Sequence, residues 1–320
     1  MKYQNQESIV SHLRLKTSPR HNLGDVVFKY TTMIFALIVL SLILLMGYEM
    51  YQDSKPSILK FGWSFLTGTT WDPVQEEYGA LPFIFGTLVS SAIALVIALP
   101  LSIGIAIFLS ELAPPRLERP LSFLIELLAG IPSIVYGLWG IFVLVPWIRT
   151  SIEPFFSRHL GFLPIFHGAP YGFGMLAAGL ILSIMVLPII ASISRDVLKS
   201  VPQTQREASL GLGATKWQSI RLILKDAKSG ILGATLLGLG RAIGETMAVT
   251  MVIGNRPTIS YSLFDPGYTM ASVIANEFTE ATSSMYISAL IEIALLLFVM
   301  TIIVNMLARI LVWSVTRSTR

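Results

Sequence analysis

GILGATLLGLGRAIGETMAVTMVIG, residues 230–254, carries no charge except Arg241 and Glu245. The stretch is long enough to cross a bilayer, which takes roughly 20 residues. A charge at mid-membrane costs roughly 2.5–3.5 kcal/mol on insertion scales, so such side chains face a bundle interior or a pathway. Four residues is just over one helical turn, so a continuous helix would place both charges on one face. Two readings follow. The pair is a structural ion pair between helices, or it is a transport site in which an anion competes with Glu245 for Arg241.

The rest of the chain agrees with a membrane setting. It is 53% hydrophobic and only 13% charged, with a mean hydropathy of +0.69, whereas a soluble domain carries about 25% charged residues. It contains no cysteine, which excludes disulfides, thiol nucleophiles and cysteine-ligated metals. The net charge of +4 is not a nucleic-acid signature, because the basic residues concentrate in particular loops. No Walker A pattern occurs, so the chain is not expected to bind ATP alone.

Apolar runs of spanning length lie at about Tyr30–Tyr48, Leu81–Leu109, Leu121–Trp147, Tyr171–Ser194, Gly230–Gly254 and Met285–Trp313. The first reads as a retained transmembrane helix, since no convincing cleavage site accompanies it. Of the basic residues outside the spans, 17 fall on one side and 5 on the other. Positive residues stay inside, so both termini are expected in the cytoplasm. The expected organisation is a cytoplasmic tail over residues 1–29, a permease domain over 30–313 with a cytoplasmic coupling loop at 195–229, and a cytoplasmic tail over 314–320. The fold class is all-α, a polytopic helical bundle of six transmembrane helices. Between the first two spans, Trp63 and Trp71 suit a loop lying against the membrane interface. Residues 151–170, rich in Phe, Pro and Gly, suit a re-entrant or interfacial segment.

Pro100, Pro132 and Pro188 fall inside expected spans, where neighbouring helices compensate the lost donor. Glu126, Gly130, Ser133, Gly137 and Gly140 recur at four and three residues and so would share one helical stripe. Small residues on such a stripe let helices approach closely, and the same reading applies to Gly240 and Gly244.

The longest interior connection contains Thr204-Gln205-Arg206-Glu207-Ala208-Ser209-Leu210-Gly211-Leu212-Gly213-Ala214-Thr215-Lys216-Trp217. A helix is expected from Thr204, a turn at Gly213 and a second helix from Lys216. Gly213 suits the left-handed residue that ends a helix, and Thr215 can cap the next. Trp217, Ile220 and Leu224 recur at three and four residues, giving an apolar face. A membrane-surface helix fits this hairpin, and so does a helix that docks in a groove of a cytoplasmic partner.

Glu207-Ala208-Ser209, three residues, Gly213, nine residues and Ile223 resemble the EAA loop of ABC importer permeases of the MetI-like, binding-protein-dependent type. A serine stands third in the opening triplet, and the closing Leu-Pro of that pattern is absent. Gly130-Ile131-Pro132-Ser133-Ile134-Val135-Tyr136-Gly137-Leu138-Trp139-Gly140 is similar to the third-span signature of phosphate-importer permeases. Thr69-Thr70-Trp71-Asp72-Pro73 resembles their exterior loop, and Gly240-Arg241-Ala242-Ile243-Gly244-Glu245-Thr246-Met247-Ala248 their fifth-span motif.

The resemblance implies a subunit that does no covalent chemistry, sits in a bacterial inner membrane and passes inorganic phosphate inward from a binding protein. It implies a second, PstA-like permease subunit, two PstB-like ATPase subunits that carry ATP and Mg, and a PstS-like phosphate-binding protein. No cofactor is implied on this chain. Arg241, Glu245, Ser133, Tyr136 and Thr246 become the expected substrate pathway, and Glu207, Ala208, Gly213 and Trp217 the expected ATPase contact. The other readings are a permease for another oxyanion, such as sulfate or molybdate, and a channel or carrier that needs no ATPase.

Overall fold

The computed structural model describes residues 23–317, so most of the N-terminal tail and the last three residues lie outside the described residues. α1 (Leu23–Phe61) is followed by a short turn of helix, α2 (Ser64–Thr67). The two-residue strands β1 (Trp71–Asp72) and β2 (Glu77–Tyr78) pair antiparallel, with Trp71 opposite Tyr78. Then come α3 (Leu81–Leu112), α4 (Pro115–Ala129), α5 (Ser133–Leu160) and α6 (Met175–Ser200). The rest is α7 (Gln203–Gly211), α8 (Lys216–Ile243), α9 (Met247–Val252), α10 (Met270–Glu277) and α11 (Ser284–Arg317).

Among the described residues five helices, α1, α3, α5, α6 and α11, are long and apolar enough to cross a membrane. Two expected spans are drawn differently. The third is not Leu121–Trp147, because the chain breaks at Gly130-Ile131-Pro132 and α5 starts only at Ser133. Pro132 lacks an N–H and disfavours a helical residue before it, so it precedes a helix here and does not kink one. α4 is consequently a separate helix. α5 instead runs on to Leu160 through two π-turns, Gly140–Leu144 and Ile148–Ile152, and takes up half of residues 151–170, the segment expected to be re-entrant or interfacial. The fifth expected span is divided between α8 and α9.

α6 is the central helix: 67% of its most apolar stretch is buried, against 28–33% for α3, α5 and α11. α3 lies along it closely enough that a Cβ on Gly179 would sit 2.3 Å from Ile93 Cγ2. Ser102 Oγ of α3 donates to Leu187 O of α6 at 2.9 Å, beside Pro188. The first part of α1, up to Glu49, is apolar and exposed all round, as a lipid-facing helix would be. Its last turns belong to the main body. Pro56 interrupts the ladder there, and Ser288 of α11 fills the gap: its Oγ donates to Asp53 O (2.8 Å) and accepts from Ser57 N (3.2 Å). One hydroxyl thereby satisfies two backbone groups that the proline region leaves open.

The expected interfacial loop folds into a small cap at one end of the main body. Asp72 Oδ1 accepts from Val74 N and Gln75 N at 2.9 and 3.2 Å, closing the tight turn between the strands. Trp71 packs edge-on against Tyr78 and Phe83, with centroids 4.8 and 4.9 Å away. Its Nε1 donates to Glu277 Oε2 of α10 at 2.8 Å, and Tyr286 of α11 donates to the same oxygen at 2.6 Å. Trp63 stays exposed.

The opposite end carries the α7–α8 hairpin. Gly213 has φ +82°. Ala214 N bonds to Ser209 O and Gly213 N to Leu210 O, the paired 6→1 and 5→2 bonds of a Schellman motif. Thr215 and Gln218 form a reciprocal capping box that starts α8, satisfying two orphan N–H groups. Ser209 Oγ bonds Ser219 Oγ at 2.8 Å, so the unusual third residue of the triplet ties the two halves together.

Candidate functional site

α8 ends at Ile243, inside the apolar stretch of residues 230–254. Gly244 N closes on Gly240 O at 3.3 Å, and the chain turns before α9 begins at Met247. Glycine has low helix propensity, and side chains that bond nearby backbone groups compete with the helix ladder. Both operate here: Thr246 Oγ1 donates to Gly244 O and Glu245 Oε1 accepts from Ala248 N, each at 3.4 Å.

The expectation that one continuous helix presents both charges on one face is therefore corrected. Arg241 is exposed in the last turn of α8, where unsatisfied carbonyls favour a cation; Glu245 is buried just before α9, where free N–H groups favour an anion. Each charge is stabilised by its own helix end. Among the described residues no ion pair or hydrogen bond joins Arg241 to Glu245.

The first turns of α5 line this break. A Cβ on Gly137 would lie 2.4 Å from Met251 Sδ and 3.2 Å from Ala248 Cα, and one on Gly140 would lie 2.8 Å from Val252 Cγ1. These two glycines admit α9 against α5, as small residues on a contact face should. The longer stripe does not exist as one helix face, since Glu126 belongs to α4, where it pairs with Arg195 of α6 at 2.9 Å. Nor do Gly240 and Gly244 serve packing among the described residues: none of these lies within 4 Å of a Cβ on Gly240, and Gly244 meets only Gly240 O. Gly230 and Gly238 are packing glycines of α8, 2.4 Å from Val197 Cγ1 and 2.7 Å from Ile190 Cδ1 by the same measure.

Tyr136 is buried on α5, with its hydroxyl donating to Leu128 O at 2.9 Å. That carbonyl belongs to the last turn of α4, and the ring lies within electrostatic reach of Arg241. Thr250 Oγ1 donates to Thr246 O at 2.7 Å. The structure thus gathers Tyr136, Arg241, Glu245 and Thr246 at the α8–α9 break. Ser133, half-buried, opens α5 one turn before Gly137 and makes no side-chain bond to those four among the described residues. The arrangement offers an exposed guanidinium, a buried carboxylate and hydroxyls at a place where helical backbone is interrupted. Broken helices of this kind are tolerated at membrane depth only where they are buried in protein or line a cavity.

The hairpin is a second cluster. Glu207 and Ala208 are exposed on α7, Gly213 is at the turn and Trp217 is 61% exposed. The expected Trp217-Ile220-Leu224 face is split, because Ile220 points inward and is buried. Leu210 and Leu212 join Trp217 as exposed apolar side chains. Arg206 escaped the sequence reading. Its guanidinium bonds both oxygens of Glu111, at 2.9 and 3.3 Å, and also Leu198 O and Val201 O. Only the adjacency of Arg206 to the Glu-Ala-Ser triplet could have drawn attention to it.

The family described as "Binding-protein-dependent transport system inner membrane component" matches residues 98–313. A protein of Mesorhizobium japonicum called "Phosphate transport system permease protein PstC" is 47% identical over 298 residues, covering 92% of this chain and 91% of that one. A Haemophilus influenzae protein of the same name is 50% identical over 290 residues, covering 89% and 92%. Among solved structures, inward-facing conformations of the MetNI methionine ABC transporter match with a TM-score of 0.50 at 21% identity, covering 74% of this chain and 94% of that one. At that identity the likeness is one of fold.

Proposed function

Because the chain belongs to the family of binding-protein-dependent transport system inner membrane components, we propose that it carries inorganic phosphate across the membrane as a permease subunit of an ATP-driven importer. It is a transporter subunit and not an enzyme; ATP is hydrolysed on partner subunits. The observation that carries the substrate is the similarity of about nine-tenths of the chain to phosphate permeases. The finer partners in this reading are a PstA-like second permease, two PstB-like ATPases bearing ATP and Mg, and a PstS-like binding protein. The orientation has both termini and the α7–α8 hairpin in the cytoplasm and the β1–β2 cap outside.

Arg241 supplies the positive charge that an anion needs where hydration is lost. A guanidinium is planar, stays protonated and presents paired donors to phosphate oxygens. The absence of an ion pair with Glu245 among the described residues supports this role over the structural one, since none of these residues holds Arg241 in an ion pair. Glu245 accepts a hydrogen bond from an anion that retains a proton. Phosphate does so near neutral pH and sulfate does not, so a carboxylate here penalises the wrong ion. Tyr136 and Thr246 add hydroxyls beside it, and Ser133 lies at the mouth of α5. Glu207, Ala208, Gly213 and Trp217 form the ATPase contact, with Leu210 and Leu212 enlarging its apolar surface.

The test is phosphate uptake by the complete complex reconstituted in vesicles, with and without ATP and with sulfate as competitor. ATP-dependent uptake that excess sulfate leaves unchanged is expected. Uptake without the ATPases would favour a carrier, and equal competition by sulfate would favour a broader oxyanion permease.

A further inference from the structure

We propose that the Arg206–Glu111 pair is a charged joint through which movement of the α7–α8 hairpin reaches α3, beside the apolar packing of α8 on that helix. This rests on the reading of the hairpin as the ATPase contact. Three observations carry it. First, the pair is an enclosed fork: the side chains are only 15% and 10% exposed, and Arg206 engages both carboxylate oxygens. Such paired geometry fixes direction as well as distance. Second, the same guanidinium bonds Leu198 O and Val201 O at the end of α6. Arg206 therefore ties α7, the end of α6 and the end of α3 at one point. Third, Glu111 lies in a π-turn, Phe108–Leu112, where Ala113 N reaches back to Phe108 O at 2.7 Å. A π-turn inserts a residue into a helix and recurs at functional positions.

The remaining ion pairs at this end reach α4 and not α3, while Ile223, Ala227 and Ile231 of α8 share an apolar cluster with Ile103, Ala106 and Ile107 of α3. Lys199 of α6 bonds Glu118, and Arg195 bonds Glu126 at 2.9 Å. α8 leaves the hairpin as one uninterrupted helix that ends beside Arg241. The hairpin thus has two outputs: α8 carries its movement to the α8–α9 break, and Arg206–Glu111 adds a directional charged link from α7 to α3 beside the apolar packing of α8 on that helix. If α3 is not drawn along, ATP is spent without moving the whole bundle.

The experiment uses the complete complex in vesicles and reads phosphate taken up per ATP hydrolysed. Glu111→Ala and Glu111→Gln leave Arg206 its carbonyl bonds but remove the charged fork. The ratio is expected to fall roughly 2- to 30-fold, the range for residues that transmit coupling, while the ATPases still co-purify and still hydrolyse ATP. A second variant guards against misfolding. The chain has no cysteine of its own, so Arg206→Cys with Glu111→Cys can be bridged by a short reducible bis-thiosulfonate. Bridging should raise the ratio and reduction should lower it again in the same sample. A wild-type ratio in Glu111→Ala would overturn the joint, as would a ratio indifferent to bridging in the double variant. Failure of the wild-type complex to import phosphate would instead overturn the functional reading beneath it.

Discussion

Gly213 offers a clean perturbation of the hairpin. Its φ is +82° and none of the described residues lies within 4 Å of a Cβ built on it. Gly213→Ala therefore meets no clash, and its whole effect is the backbone cost of a left-handed L-residue, about 1–2 kcal/mol. A cost of that size multiplies the open fraction of the turn by roughly 5- to 30-fold. The turn is held by Gly213 N to Leu210 O and Ala214 N to Ser209 O, so the amide of Ala214 reports on it directly. Hydrogen exchange of that amide in the purified protein should accelerate by that factor. Gly211→Ala is the control: it has equally open surroundings without the positive φ and should slow exchange, since glycine in a helix costs roughly 0.5–1 kcal/mol relative to alanine. Phosphate uptake per ATP should fall in Gly213→Ala and hold in Gly211→Ala, and Gly213→Val should be worse than both. Equal exchange at Ala214 in the two alanine variants would refute the claim that a left-handed residue holds the hairpin.

Three other outcomes are expected. Single cysteines at Asp72 or Phe166 should react with an impermeant label only from outside, and one at Lys216 only from inside; reversed labelling would overturn the orientation. Glu245→Gln should lower phosphate uptake and admit sulfate, and a variant that still excludes sulfate would remove Glu245 from selectivity. Glu118 is held below the usual carboxylate range by its bond from Lys199. Its contribution to stability is present above the unfolded value of about pH 4.3 and is lost as pH falls through the lower folded value. Glu118→Gln should flatten that limb of the acid-unfolding curve, and superimposable curves would dismiss the contribution.

Apolar run length made most of this fold legible, because a bilayer imposes a length that few other constraints match. It misled where backbone chemistry breaks a run without changing its hydropathy. Residues 121–147 read as one span although Pro132 forces a boundary, and residues 230–254 read as one helix although Gly244 and the side chains of Glu245 and Thr246 end it. Both breaks carry local signals, a Gly-Ile-Pro and a Gly-Glu-Thr, that a window average erases. The hairpin was readable to the residue at Gly213 and Thr215, because positive φ and capping select particular side chains. Trp217, Ile220 and Leu224 read as one apolar face, yet only Trp217 is exposed and Ile220 is buried, since periodicity identifies an apolar stripe but not which of its members meets a neighbour. Arg206–Glu111 spans 95 positions, and nothing local in either residue announces the other.

Arg241→Met in the reconstituted complex tests the central claim most directly. Hydrogen bonds to a charged group contribute about 1.5–3 kcal/mol each, so losing a two-donor contact predicts at least a roughly hundredfold loss of phosphate uptake. Arg241→Lys, which keeps the charge without the fork, should fall between the two. The variant must first be shown to assemble with its partners and to hydrolyse ATP. Phosphate uptake at the wild-type rate by assembled Arg241→Met would contradict the account and take the anion's path away from the α8–α9 break.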